Sequence, residues 1–258
     1  MSGLDQALQV FAPISLDELT DQAALMTRVD RKYVLSSADA QMLAATMPAT
    51  TRVLEIGGRR RFGYQSLYFD TARLEAYRRT AQRRRRRFKV RTRSYDTGAD
   101  FLEVKTRQLA ATVKERIPYH APGLALDAAG HAYAHQRLAA AGIDLQTELL
   151  ATLWTSYRRS TLLLPSESAR VTLDTDLRWT APVVAATLAL QDLTIVETKS
   201  GSQASSADRL LWSLGYRPVS ISKYGTGLAA LYPELPRNRW HRLLGSIRPH
   251  LHEALPAH

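Results

Sequence analysis

The sequence predicts a mainly β fold with some helix (α+β): an eight-stranded antiparallel β-barrel that forms a tunnel, with flanking helices. Three observations support this fold class. About eight segments alternate polar and apolar residues with the two-residue period of a strand. Most of them follow one another closely, separated by glycine or by Asp/Ser-rich punctuation, as hairpins do. Many strands also carry a charged row, mostly basic, opposite an apolar row.

The predicted strands are short enough for a barrel and are arranged mostly in hairpin order. The clearest one begins at Phe88, where Phe88 and Val90 alternate with Lys89 and Arg91. The segment 148–164 is long enough for two strands. The predicted strands cover residues 31–35, 65–71, 86–95, 100–107, 112–119, 148–164, 169–179 and 188–200.

Helix signals are fewer. Ser36 or Ser37 is a candidate N-cap for a helix that ends before Pro48, and Gly142 and Gly215 are stop signals for two later helices. The predicted helical segments are 36–47, one or two turns within 71–80, 126–142, 205–215, a helix that begins near Ser222, and an amphipathic stretch over 237–255.

Composition limits the classes of partner. The 258 residues carry 35 Lys and Arg against 24 Asp and Glu, a formal net charge of +11, so an anionic partner is expected. The absence of cysteine excludes disulfides and thiolate metal sites. We expect no secretory signal at the N-terminus and no membrane span, since no window reaches about 18 consecutive apolar residues.

The alternating faces have two interpretations. In one, every charged face is open to solvent and every apolar face is core, which is ordinary for an antiparallel sheet. In the other, the sheet closes so that the charged rows line a tunnel and helices cover the apolar rows. Because unpaired buried cations are costly, a tunnel of this kind would have to hold a polyanion.

Nine segments, in this order, are similar to those of a known family. They are RVDRKYVL, SLYFDT with LEAY, KVRTRSY, FLEVKTR, VKERIPY, TSYRRST, ARVTLDTDLRW, IVETKS and SISKYGTGL. The chain thereby resembles the VTC domain, the polyphosphate polymerase domain of the vacuolar transporter chaperone complex and of many bacterial proteins. The resemblance spans about residues 14–232 and leaves residues 1–13 as an N-terminal extension and 233–258 as a C-terminal helical segment.

The resemblance places the chain among the triphosphate tunnel metalloenzymes. It implies a basic tunnel, Mn²⁺ or Mg²⁺ as cofactor, ATP and inorganic polyphosphate as partners, and transfer of the γ-phosphate of ATP onto a growing polyphosphate chain. Relatives that hydrolyse triphosphate or make cyclic nucleotides carry an E-x-E-x-K strand. The corresponding segment here has Asp30 and Lys32 only, which favours the polymerase branch.

The resemblance also implies roles for individual residues. Glu197 is the expected metal ligand, with Glu103 as the next candidate. Either Lys114 or Arg116 is expected to occupy one position of the tunnel lining, because the register between these two residues is not determined. Tyr68 lies in the family's YFDT segment and is expected near the substrate together with Lys199. The expected phosphate-binding and catalytic residues are Lys32, Arg91, Arg93, Lys105, Arg158, Arg170 and Lys223.

Other functions stay open at this stage. A tunnel triphosphatase would pass phosphate to water, and a binding module would hold polyphosphate without turnover. A nucleic-acid binder that uses the arginines 83–86 ranks last, because aromatic residues for base stacking are sparse around them. Those arginines are either the solvated start of a strand or a collar that guides polyphosphate. We expect a cytoplasmic protein, and association with a membrane protein through the segment after Pro236 stays open.

Overall fold

The structure is a computed structural model that describes residues 3–22, 29–108, 111–183 and 186–255. These residues form a large, mostly antiparallel sheet of twelve strands with helices beside it, so the mainly β fold class is confirmed. The strands are β1 (Ala12–Ile14), β2 (Val29–Ser36), β3 (Arg52–Leu54), β4 (Phe62–Asp70), β5 (Arg87–Tyr95), β6 (Asp100–Gln108), β7 (Ala111–Pro118), β8 (Leu150–Leu164), β9 (Ala169–Thr180), β10 (Thr187–Leu190), β11 (Leu193–Ser200) and β12 (Leu251–Glu253).

The helices begin and end close to the predicted signals. Ser36, Ser205 and Ser222 each cap a helix by accepting a hydrogen bond from a backbone N–H three residues later, and Asp127 does the same. The helices are α1 (Gly3–Leu8), α2 (Leu16–Gln22), α3 (Ser37–Ala45), α4 (Glu75–Ala81), α5 (Ala128–Ala140), α6 (Ser206–Ser213), α7 (Lys223–Leu231) and α8 (His241–Ile247). The sequence analysis did not predict α1 and α2, although Ser15 and Glu18 have the S-x-x-E spacing of a capping box at the start of α2.

The eight-stranded barrel needs a correction. The segment 148–164 forms one strand, and 188–200 forms two, because Asp192 adopts a left-handed φ of 56° that interrupts the pairing. Among the described residues the sheet is not closed: the recorded partner of β7 is β6, and that of β2 is β11. The additional strands β1, β3, β10 and β12 have three or four residues, which is too short to show a period in the sequence.

The chain divides into two compact units. The first unit comprises Met1–Gly63, Tyr157–Leu177 and Leu190–Ser220. In it β11 pairs with β2 on one side and β9 on the other, both antiparallel. The apolar rows Tyr33/Leu35 and Val171/Leu173 pack in one core with residues of α1, α3 and α6. Helices therefore cover the apolar face of these strands, and the charged side chains lie on the other face.

The second unit comprises Tyr64–Ser156, Arg178–Ala189 and Ile221–His258. Its strands β4, β5, β6 and β7 are consecutive antiparallel neighbours. The glycines of the SKYGTGL segment are explained by packing of α7. A Cβ on Gly225 would lie 2.5 Å from the ring of Trp240, and one on Gly227 would collide with the ring of Trp179. Both positions therefore favour glycine.

Candidate functional site

The strands β2, β11 and β9 bring charged side chains of the first unit together in adjacent rows. The register places Lys32, Glu197 and Thr172 opposite one another, and it places Asp30, Lys199 and Arg170 in the next row on the same face. Residues two apart on a strand are separated by roughly 6.6 Å, so the two rows form one charged surface. We call Asp30, Lys32, Arg159, Asp174, Glu197 and Lys199 the Glu197 cluster.

Glu197 is the centre of this cluster. Lys199 Nζ lies 2.9 Å from Glu197 Oε1, and Lys32 Nζ lies 4.0 Å from Oε2. The Glu197 side chain is only 12% exposed. Burial raises its pKa, but Lys32, Lys199 and Arg159 outweigh that effect and hold the pKa well below its usual range. Glu197 is therefore ionised at neutral pH.

An arginine that the sequence analysis did not select belongs to the Glu197 cluster. Arg159 Nε and Nη2 donate to the two oxygens of Asp174 at 2.6 and 2.7 Å, and the Asp174 side chain is 1% exposed. The predicted residue, Arg158, points to the other face of β8, is exposed, and borders a surface depression next to Arg60 and Arg61. Arg159, and not the expected Arg158, is therefore the arginine that the structure places in the Glu197 cluster, and a phosphate-binding role of Arg158 stays a prediction.

In the second unit, four adjacent strands align the predicted residues in rows. One row contains Tyr68, Arg91, Glu103 and Arg116 on β4, β5, β6 and β7. The register leaves Arg116 directly opposite Glu103, although the salt bridge to Glu103 comes from Lys114 in the next row. Both alternatives for the lining position therefore lie on this face.

The next row contains a lysine on each of β5, β6 and β7. Lys105 on β6 lies opposite Lys89 on β5 and Lys114 on β7. Lys105 is exposed, and Lys89 Nζ donates to Ser222 Oγ, the N-cap of α7, at 2.8 Å. Lys223, the first residue of α7, is half-buried next to that cap. This side of the second unit therefore concentrates positive charge at a helix N-terminus, where anions are also favoured by the helix dipole.

Glu103 is the most enclosed charge of the second unit, with 2% of its side chain exposed. Arg91 Nη2 lies 2.5 Å from Oε2, Arg93 Nε lies 3.9 Å from the same oxygen, and Lys114 Nζ lies 2.6 Å from Oε1. Burial raises the pKa of Glu103, but these three cations outweigh it and lower the pKa to about 2. We call Tyr68, Arg91, Arg93, Glu103 and Lys114 the Glu103 cluster.

Tyr68 is held by its neighbours in a supporting position. Its hydroxyl accepts a hydrogen bond from Arg91 Nη1 at 2.8 Å, and its ring stacks on Tyr224 with centroids 5.0 Å apart. The Tyr224 hydroxyl in turn donates to Asp70, whose carboxylate also accepts from the backbone N–H of Thr71 and from two backbone N–H groups in the first turn of α4. Asp70 therefore joins β4, α4 and α7, and it fixes the ring against which Tyr68 and Arg91 are positioned.

The burial of these clusters argues against an ordinary solvated face. On an open sheet surface, lysine and glutamate side chains are mostly exposed. Here Glu103, Glu197 and Lys199 are largely buried, with Lys199 16% exposed, and they are surrounded by other charges. The charged faces are therefore organised clusters rather than ordinary solvated surface, although Lys105, Lys114 and Arg116 are exposed.

The distribution of lysine supports the same conclusion. The chain contains 29 arginines but only six lysines: Lys32, Lys89, Lys105, Lys114, Lys199 and Lys223. Each of the six belongs to one of the charged rows or to the N-terminus of α7. A lysine ammonium is a compact point charge that binds phosphate without the planar fork of arginine. Lys89 was visible on the charged side of its strand from alternation but was not assigned a role.

Comparison with known proteins places these residues in a family. Residues 27–232 match the family description of the VTC domain. The chain belongs to the VTC domain family. None of the curated proteins matches the sequence. A solved structure of a Hippeastrum protein, described as a candidate adenylyl cyclase with a dominant triphosphatase activity, has a TM-score of 0.49 and 15% identity, over 79% of this chain and 96% of that chain.

Membership of the VTC domain family supports an enzyme of the tunnel fold that transfers phosphoryl groups and acts on polyphosphate or triphosphate. No helix among the described residues is long and apolar enough to cross a membrane. The residue types of the two clusters suit phosphate: arginine and lysine bind its oxygens, and phosphoryl transfer requires positioning and charge neutralisation more than a reactive side chain.

The carboxylates of this VTC domain differ in how well they suit a divalent metal. Among the residues that the structure describes, no three His, Asp or Glu side chains gather into a metal site. Mg²⁺ is often bound by one or two carboxylates together with phosphate oxygens. Glu197 fits that pattern better, because Lys32 Nζ lies 4.0 Å from its Oε2. Glu103 fits less well, since each of its oxygens is held by a cation at 2.6 Å or closer.

Proposed function

We propose that this VTC domain is a polyphosphate polymerase that transfers the γ-phosphate of ATP onto a growing inorganic polyphosphate chain. The observation that carries the proposal is the excess of positive charge in the largely buried Glu103 cluster, where three cations surround one carboxylate. In the Glu197 cluster the cations Lys32, Arg159 and Lys199 balance three carboxylates, and Arg170 on the same face adds a further positive charge. Such surfaces suit a ligand with many negative charges.

The reaction needs no nucleophilic side chain. A terminal phosphate oxygen of the chain attacks the γ-phosphorus of ATP, a new P–O bond forms there, and the bond between that phosphorus and the oxygen it shares with the β-phosphate breaks to release ADP. Arg91 and Arg93 would bind phosphate oxygens through their planar forks, and Lys105 and Lys114 would add compact charges. These groups would hold the reacting oxygens in line and offset their negative charge.

The first unit would also bind phosphate through its charged residues. Lys32, Lys199 and Arg170 lie in adjacent rows of one face and would bind phosphate oxygens there. We propose Glu197 as the carboxylate that holds Mn²⁺ or Mg²⁺, which when bound would supply additional neutralisation of phosphate charge. Arg159 would act indirectly, because its fork to Asp174 fixes the charged neighbours of Glu197.

The test is to incubate the purified protein with ATP and Mn²⁺ and to resolve the products by length. Long polyphosphate chains with stoichiometric ADP are expected. Free phosphate without chains would replace this proposal with a tunnel triphosphatase. Tight polyphosphate binding without consumption of ATP would replace it with a binding module. A reaction with Glu197→Gln provides the matched control for a contaminating activity, since that variant keeps the shape of the side chain.

A further inference from the structure

The turn between α4 and β5 carries an exposed group of arginines that the candidate site does not include. Arg84, Arg85 and Arg86 are exposed, and with Arg79 they line a concave surface of about 440 Å³. Further arginines converge on the same region from β5, β6 and the C-terminal segment. We call the whole group the arginine cluster: Arg79, Arg83, Arg84, Arg85, Arg86, Arg87, Arg107 and Arg239.

Several of these arginines are fixed by neutral acceptors, which leave their charge uncompensated. Arg86 Nη1 donates to the carbonyl oxygen of Gly142 at 3.5 Å, and Arg239 Nη1 donates to that of Thr80 at 2.9 Å. Arg84 Nε donates to the Gln82 side chain at 3.1 Å. Arg79 does have an acidic partner, Glu75, at 3.2 Å. The hydrogen bonds therefore order the guanidinium groups while the region keeps a strong positive charge.

The local backbone and the pKa values indicate that this arrangement costs energy. Arg83 has a left-handed φ of 56°, a conformation that non-glycine residues adopt uncommonly. Burial lowers the pKa of Arg239, and the nearby charges of Arg87, Arg83 and Arg107 lower it further. Like charges that repel one another in the free protein are relieved when an anion binds between them.

The arginine cluster is continuous with the candidate site along one strand. Arg87, Lys89, Arg91 and Arg93 follow one another at every second position of β5, which places them on one face with a spacing of roughly 6.6 Å. Arg107 lies opposite Arg87 on β6, in the row beyond Lys89 and Lys105. A linear polyanion that binds at the Glu103 cluster can therefore extend along this face to the arginine cluster without leaving positive charge.

We propose that the arginine cluster is a second binding site for linear polyphosphate, which retains the part of the chain that extends beyond the Glu103 cluster. This inference rests on the proposed function, because it takes polyphosphate as the ligand. Residues 82–87, which form most of the exposed surface, are one glutamine and five arginines, so they offer guanidinium groups for phosphate and no aromatic ring for stacking a base.

The test compares binding of long-chain polyphosphate and of tripolyphosphate to the full chain by titration calorimetry at several salt concentrations. The variant Arg84→Gln/Arg85→Gln/Arg86→Gln removes three exposed charges. The control Arg209→Gln/Arg217→Gln/Arg248→Gln removes three exposed charges elsewhere and has the same net charge. The double variant Arg84→Gln/Arg85→Gln keeps the hydrogen bond from Arg86 to Gly142 and serves if the triple variant unfolds.

We expect the triple variant to bind long-chain polyphosphate about tenfold more weakly, with a shallower dependence of affinity on salt, because fewer phosphate contacts release fewer counterions. Its affinity for tripolyphosphate and the affinities of the control should match the wild type. Equal affinities of all variants for long-chain polyphosphate would overturn the inference. If the triple variant lost as much affinity for single-stranded RNA of the same charge as for polyphosphate, or more, the inference would also be overturned, in favour of a nucleic-acid surface. Binding is measured without turnover, so a protein that makes no polyphosphate still gives a readable result.

Discussion

Arg91 and Glu103 lie directly opposite each other on β5 and β6, with Arg91 Nη2 2.5 Å from Glu103 Oε2. Lys114 Nζ forms a salt bridge with the other carboxylate oxygen of Glu103, and Arg93 Nε lies 3.9 Å from Glu103 Oε2. One buried carboxylate thus holds three cations in place but neutralises only one charge. This is how a protein can order cations for a phosphate ligand and still leave most of their charge for that ligand.

The first prediction concerns the pH dependence of stability. The pKa of Glu103 is lowered from its ordinary value of 4.5 to about 2, so its contribution is present above pH 4.5 and is lost as the pH falls toward 2. Glu103→Gln should lower the free energy of unfolding by about 3 kcal/mol at pH 7. The difference from wild type should shrink steadily below pH 4.5, as measured by urea denaturation.

The matched control is Glu75→Gln, which removes a carboxylate from a half-exposed i,i+4 pair with Arg79. It should change stability by less than about 0.5 kcal/mol at every pH. If Glu103→Gln were as stable as the control at pH 7, the carboxylate of Glu103 would not be needed to stabilise the three cations around it.

The sequence was sufficient to predict the strands that carry these residues, because alternation over seven or more residues marks a strand and assigns a face to each side chain. Glu103, Glu197 and Lys199 were all placed on charged faces in this way, and the register of β2, β11 and β9 agrees with that assignment. The closure of the sheet could not be predicted by the same means. Closure depends on pairing between strands that are distant in the sequence, and alternation within one strand contains no information about its neighbours.

The choice between Arg158 and Arg159 shows a different limit. The strand continues into Leu162, Leu163 and Leu164, three apolar residues in succession. The sequence therefore does not show whether the odd-numbered or the even-numbered residues of β8 face the core. In the structure all three leucines are buried. Only the partner across the strands, Asp174, identifies Arg159 as the residue on the charged face. The sequence shows that β9 carries a carboxylate, but it does not show which residue of β8 lies next to that carboxylate. Choosing Arg159 from the sequence would therefore require the register of the two strands.

The second prediction tests this assignment by a double-mutant cycle. Arg159→Gln should cost about 3 kcal/mol of stability, since it leaves the buried carboxylate of Asp174 without its partner. Arg159→Gln/Asp174→Asn should recover much of that loss, because neither residue then carries a buried charge. Arg158→Gln, the matched control at the exposed neighbouring position, should remain within about 0.5 kcal/mol of wild type. Equal losses for Arg158→Gln and Arg159→Gln in urea denaturation would contradict the assignment.

The third prediction concerns the metal. Glu197→Gln keeps the size of the side chain but removes the carboxylate that we propose as the metal ligand. The variant should fold, and its ATP-dependent polyphosphate synthesis should fall at least about 100-fold at a Mn²⁺ concentration that saturates the wild type. Titration with Mn²⁺, followed by electron paramagnetic resonance of the free ion in the presence of tripolyphosphate, should show weakened binding independently of turnover.

The control for this prediction is Asp30→Asn, which removes a neighbouring carboxylate that lies 3.6 Å from Lys199. It should retain Mn²⁺ binding within a few-fold of wild type, because Asp30 is more exposed and lies one row away from Glu197. If Glu197→Gln binds Mn²⁺ as tightly as Asp30→Asn does, Glu197 is not the ligand.

The last prediction concerns Lys105, which lies between Lys89 and Lys114 in a row of three like charges. Like charges on neighbouring strands repel one another, so Lys105→Ala should leave the melting temperature unchanged or raise it. Tripolyphosphate should bind the variant about tenfold more weakly, which removes about 1.4 kcal/mol of ligand-induced stabilisation. In a domain of this size the ligand-induced shift in melting temperature should therefore fall by about 4 °C. Arg73→Ala, an exposed cation that precedes α4, should keep the full shift in the same thermal-denaturation series. A full shift for Lys105→Ala as well would mean that the lysine row does not contact the ligand, and that the face of β5, β6 and β7 is not part of the phosphate-binding site.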